Sequence, residues 1–196
     1  MTSKPGRQGF TPSEADLRQL TETLWYEIQM AFDLGESLAL STGPLGSSIP
    51  QVVKNAMLES FTIHVRQLID FFWTRRSKHA KTERDAFATD FFDPGEWDRI
   101  RPARPAVLGP DLADKVGWGV AHLTYGRAIA TPEQKQWPTV VICGALVPAI
   151  RTFIENVDPT KLDPMWFQFF APLLDRFEAA YPGATSAALS QGDSPE

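Results

Sequence analysis

Apolar residues in this chain return every three or four positions, and prolines stand where those runs begin. That spacing lines them along one face of a helix. Leu17, Leu20, Leu24, Ile28 and Ala31 make the first stripe, and Thr11-Pro12-Ser13-Glu14 reads as a capping box with Pro at the first helical position. This predicts a helix to about Leu40. A Gly/Ser loop at 41–48 follows, and Ile49-Pro50 opens a second helix reaching about Arg76 with the stripe Val53, Met57, Phe61, His64, Leu68 and Phe72. Pro110 starts another helix carrying Leu112, Val116, Val120 and Leu123. Thr131-Pro132-Glu133-Gln134 is a second capping box, ahead of a helix over 138–157 interrupted at Gly144 and Pro148. Asp163-Pro164 caps a last helix rich in Trp166, Phe169, Phe170, Leu173, Leu174 and Phe177, stopped by Tyr181-Pro182-Gly183.

No run alternates as a strand does, and the β-branched cluster at 139–142 sits in helical context. The expected fold is all-α: an antiparallel bundle of four to five long helices. The connection between the second and third, 77–109, is polar and proline-studded, with short helices near Asp85–Phe92 and Pro94–Arg99. A length of 196 residues suits one domain. The division is a flexible N-terminus at 1–10, a helical-bundle domain at 11–183 and a disordered tail at 184–196.

Composition narrows the function classes. A hydrophobic share of 43% is too high for a disordered chain. The net charge of −5 argues against general coating of nucleic acid, although 71–84 carries Arg75, Arg76, Lys78, Lys81 and Arg84 against Glu83 alone. That segment either grips RNA phosphates or is a solvated loop. The single cysteine excludes an intrachain disulfide, and Cys143 lies in an apolar run as a small buried hydrophobe. The first ten residues lack an apolar signal core, and no run of 18 apolar residues exists, so a cytoplasmic protein without a membrane is expected. His64, His79 and His122 lack metal-ligand spacing, and the phosphate and nucleophile loop motifs are missing, so neither metal nor cofactor is expected.

Two helices carry chemistry. On the second, Glu59, Ile63, Arg66, Asp70 and Trp73 form a stripe roughly opposite His64, with Arg66 and Asp70 at i,i+4. Bulky apolar groups on both stripes predict a central helix, whose charges must then be paired. The cluster is either a structural network with a satisfied core histidine or the polar lining of a site. On the helix after Pro110, Lys115 and His122 lie two turns apart with Trp118 between them, and Gly117, Gly119 and Gly126 are nearby. Three glycines in one helix are costly unless a backbone or ligand approaches closely. The face suits either helix packing or a phosphodiester, with an imidazole to exchange a proton and a cation to steady the anion.

The segments Glu59-Ser-Phe-Thr-Ile-His64-Val-Arg66-Gln-Leu-Ile-Asp70 and Lys115-Val-Gly-Trp-Gly-Val-Ala-His122 together resemble the HEPN superfamily of small helical proteins. The resemblance implies a four-helix core, a homodimer with facing motifs, metal-independent RNA cleavage, and service in toxin–antitoxin or phage-defence systems, with an antitoxin as a protein partner. His122 matches the motif histidine, and Lys115 stands at the position of the family's arginine. On this reading His122 and Lys115 are catalytic, and Trp118, Arg127, Arg66, Asp70, Glu59, Arg75 and Arg76 contribute to substrate binding. The alternative is a catalytically inactive helical module for dimerisation or protein interaction.

Overall fold

A computed structural model describes residues 11–41, 48–74, 85–116, 129, 131 and 136–190. They are helical, with no strand among them. The first helix, α1, spans Glu14–Leu40. Its cap lies two residues beyond the expected Thr11. Ser13 accepts from the Asp16 backbone N–H at 3.2 Å, and the Asp16 carboxylate accepts from the Ser13 N–H at 2.8 Å. The Ser13 hydroxyl also donates to the Asp16 carboxylate at 2.6 Å, and this bond together with that from the Ser13 N–H holds the Asp16 carboxyl below its ordinary range. Leu17, Leu24, Ile28, Ala31 and Leu38 form the buried stripe, with Phe32 beside it.

Helix α2, Gln51–Trp73, packs along α1 and buries Phe61, His64, Val65, Leu68, Ile69, Phe71 and Phe72. The expected boundary at Arg76 contracts to Trp73, and Arg75 and Arg76 lie outside the described residues. The helix is buried on one face, not two. Glu59, Arg66 and Asp70 are exposed, and Ile63 is 58% exposed. The expectation of a central helix is therefore corrected, because the neighbouring helices cover only the Phe61–Phe72 stripe.

The polar connection contributes more core than its composition promised. It forms a 3₁₀ turn at Ala88–Phe91 and helix α3 at Glu96–Ile100. Phe87, Phe91, Phe92 and Trp97 are buried. The last carbonyls of a helix lack intrahelical donors. Here Trp97 Nε1 donates to the Phe72 carbonyl at 2.9 Å, and Arg101 donates to that of Trp73 at 3.1 Å. A second 3₁₀ turn, Ala106–Leu108, leads into helix α4, described over Pro110–Val116.

Helix α5, Thr139–Asn156, runs unbroken through Gly144 and Pro148, where an interruption was expected. Nearly every side of it is buried, including Ile142, Cys143, Leu146, Val147, Ile150 and Phe153, so burial outweighs the propensity loss at Pro148. By length and apolar composition this helix would also cross a membrane, but 56% of it is buried within the protein, as a core helix is. The expected single last helix is two: α6 at Pro164–Phe167, capped by Asp163, and α7 at Phe170–Ala180. Phe170, Leu173, Leu174 and Phe177 are buried, so the aromatic stripe of α7 is core.

Residues 184–190, expected as disordered tail, form helix α8 at Ala184–Ser190, packed on α5 with Ala184 and Ala188 buried. Alanine-rich and short, this segment has no amphipathic signature strong enough to reveal it. Gly144 of α5 admits the backbone of Ala184 directly against its own.

Candidate functional site

The described part of the predicted catalytic face is its first turn. Pro110 opens α4, and Asp111 and Lys115 fall one turn apart on the same side. A cleft of about 300 Å³ lies beside them, with Asp111, Lys115 and Trp137 on its lining and Val107, Leu112, Pro138 and Ile142 as its apolar wall. The Lys115 ammonium donates to the Gln136 carbonyl. Its Nζ also sits 4.7 Å from the centre of the Trp137 ring, within cation–π range. Burial pushes the Lys115 amine below its ordinary pKa. A lysine so perturbed on the wall of a cleft is a candidate for function. An ammonium carries three N–H donors, and the bond to Gln136 leaves two without a partner among the described residues.

Trp137 was not anticipated. It stands in a linker just before Pro138, and its sequence position carries no sign of Lys115, 22 residues earlier. Only the meeting of α4 with the segment leading into α5 pairs them.

His122, Trp118 and Arg127, with the glycines at 117, 119 and 126, lie outside the described residues, as do Arg75 and Arg76. Arg66 and Asp70 pair at 3.8 Å, but their side chains are 77% and 55% exposed, so this is a solvated surface pair worth little. Neither they nor Glu59 line the cleft. Arg104, whose pKa burial lowers against the opposing pull of Asp70, donates to the Leu108 carbonyl of the turn bordering the cleft.

His64 is a satisfied core histidine. Its Nδ1 lies 2.7 Å from Glu27 Oε2 of α1, and the Tyr26 ring meets it edge-on at 5.5 Å. Its acidic partner is Glu27, not Glu59. No group of three or more His, Cys, Asp or Glu side chains converges among the described residues. Cys143 is fully buried, its Sγ 3.5 Å from the Ala31 carbonyl, and burial pushes its thiol far up. It is an unreactive packing residue.

A second polar cluster joins α1 to α7. Arg176 pairs with Asp33 at 2.9 Å and reaches Glu36 at 3.6 Å. Glu36 Oε1 is buried without a hydrogen-bond partner. Burial raises the Glu36 pKa, against the opposing pull of Arg176 and with a further push from Asp33. A raised folded-state value contributes stability below the unfolded pKa and loses it as pH rises through the folded one. Glu36→Gln should therefore stabilise the protein modestly at pH 7, because it removes a charge that burial disfavours, less the attraction to Arg176 that is lost with it. The gain should shrink as pH falls through the carboxylate range, in melts of both proteins from pH 7 to 4.

No family model, curated protein or solved structure matches this chain.

Proposed function

We propose that this chain is a HEPN-like, RNA-directed protein whose helices form an antiparallel bundle, a cytoplasmic endoribonuclease of a toxin or phage-defence system. The observation that carries the reading is Lys115: a half-buried cation beside an indole ring, on the wall of an open cleft, with N–H donors to spare. In this reading Lys115 steadies the phosphate. The RNA 2′-oxygen attacks phosphorus, the bond to the 5′-oxygen breaks, and His122 exchanges the proton. The products are a 2′,3′-cyclic phosphate and a 5′-hydroxyl. Lysine offers a point charge where arginine offers a planar fork, so Lys115→Arg should raise the rate.

A second reading, a helical interaction module, is favoured by the outer face of α2. Val52, Ala56 and Ile63 are exposed along one side of α2, an apolar surface that a second helix would cover, interspersed with Glu59, Arg66 and Asp70. One experiment separates the two. Purified protein is incubated with labelled RNA in EDTA, beside His122→Ala, Lys115→Arg and Ile63→Glu variants sized by light scattering. Cleavage by the wild type, lost by at least a hundredfold in His122→Ala, supports the enzyme. Intact RNA with both wild type and Lys115→Arg, together with a dimer that Ile63→Glu dissociates, supports the module.

A further inference from the structure

The cleft beside Lys115 has the chemistry of a nucleotide-sized site. Its volume of about 300 Å³ is at the lower end for small-molecule pockets, enough for one nucleotide and far too small for a duplex. Three kinds of group meet there. Trp137 offers an indole and Val107 and Leu112 apolar surface, which suit the faces of a planar base. Lys115 offers a cation with donors left after Gln136, which suits a phosphate. Asp111, one turn before Lys115, offers an acceptor, which suits an exocyclic amine.

We propose that this cleft holds one unpaired nucleotide, its base against Trp137, its phosphate on Lys115 and its exocyclic amine on Asp111. A base still stacked in a helix presents no free face, so the nucleotide must come from a single strand or from solution. Uracil, which offers a carbonyl where cytosine has its amine, meets the Asp111 carboxylate with like polarity and is disfavoured. As a strand-binding site the inference rests on the RNA-directed reading above; as a nucleotide site it does not.

The test is fluorescence anisotropy of the full chain with labelled octacytidylate and octauridylate, with free CMP and UMP as competitors. Octacytidylate should bind several-fold more tightly than octauridylate. Trp137→Leu should weaken octacytidylate about tenfold, the usual effect of losing one stacking platform, and Trp137→Phe should restore most of it. Asp111→Asn should abolish the preference for cytosine, chiefly by strengthening octauridylate binding, since the amide N–H donates to the uracil carbonyl that the carboxylate repels. This variant decides the matter even if Trp137→Leu fails to fold by circular dichroism. Oligomer binding that ignores both Trp137→Leu and Asp111→Asn and shows no preference for cytosine overturns the nucleotide site and leaves the RNA reading standing. CMP binding that depends on Asp111, with no oligomer bound, upholds the site for free nucleotides and overturns the RNA reading. Binding of neither overturns both.

Discussion

Phe153→Ala should remove about 4 kcal/mol of folding stability, a fall in Tm of roughly 8–16 °C. Phe153 lies on α5 with no exposed surface. Its ring meets Phe71, Phe72, Phe91, Phe92 and Trp97 at centroid separations of 5.3–6.0 Å, all of them edge to face. Deleting it opens a cavity bounded by three different parts of the chain: α2, the connection at 87–97 and α5. Such aromatic pairs each add to the stabilisation from burial alone, so the loss exceeds a simple transfer cost. Phe153→Leu keeps most of the volume and should cost only about 1–1.5 kcal/mol. Thermal or urea melts of the two variants check both numbers. A drop for Phe153→Ala no larger than that for Phe153→Leu would mean that the aromatic cluster is not the hub of the core.

Gly144→Ala should be nearly as damaging, for a different reason. A Cβ on Gly144 would stand 2.6 Å from the Ala184 carbonyl carbon, 2.7 Å from its oxygen and 2.8 Å from the Thr185 nitrogen. All three are backbone atoms of α8, which cannot swing aside as a flexible side chain does. The strain has one cheap outlet, detachment of α8 from α5, so the cost should be about 3 kcal/mol and should level off there. Removing residues 184–196 should produce a loss of similar size. Adding Gly144→Ala to that truncated chain should then cost little, because the clashing backbone is gone. Additive losses in the double variant would show that α8 is not what Gly144 accommodates.

The same two positions mark how far a linear reading of this chain reaches. The stripes of α1 and α2 were legible because an amphipathic helix writes its buried face into the spacing of Leu17, Leu24 and Ile28 or of Phe61, Leu68 and Phe72. α8 was not legible, because Ala184 docks where Gly144 lacks a side chain on α5, a property of the partner helix. The prolines and charges of the connection at 77–109 carry no sign of a core contribution. Its Phe87, Phe91, Phe92 and Trp97 are core because the end of α2 supplies unpaired carbonyls and an uncovered apolar face beside them.

The candidate site divides in the same way. Lys115 was singled out from its spacing to His122, and the structure finds it at a cleft. Trp137 and Asp111, which give that cleft its chemistry, were not, since a cation–π contact across 22 residues leaves no periodic trace. The Glu59–Arg66–Asp70 stripe was placed inside the molecule because Ile63 and Trp73 share its face. The fold turned that face to solvent, with Ile63 exposed and the Trp73 indole donating to the Pro102 carbonyl at 3.1 Å. By itself, then, the sequence determined that the described chain is helical, roughly where α1 and α2 run and that the Leu17–Ile28 and Phe61–Phe72 stripes are buried. Those properties depend on neighbours within two helical turns. Which helix is surrounded, which short segment docks and which ring stands beside Lys115 were decided only in the tertiary structure. Each depends on a surface contributed by a distant part of the chain.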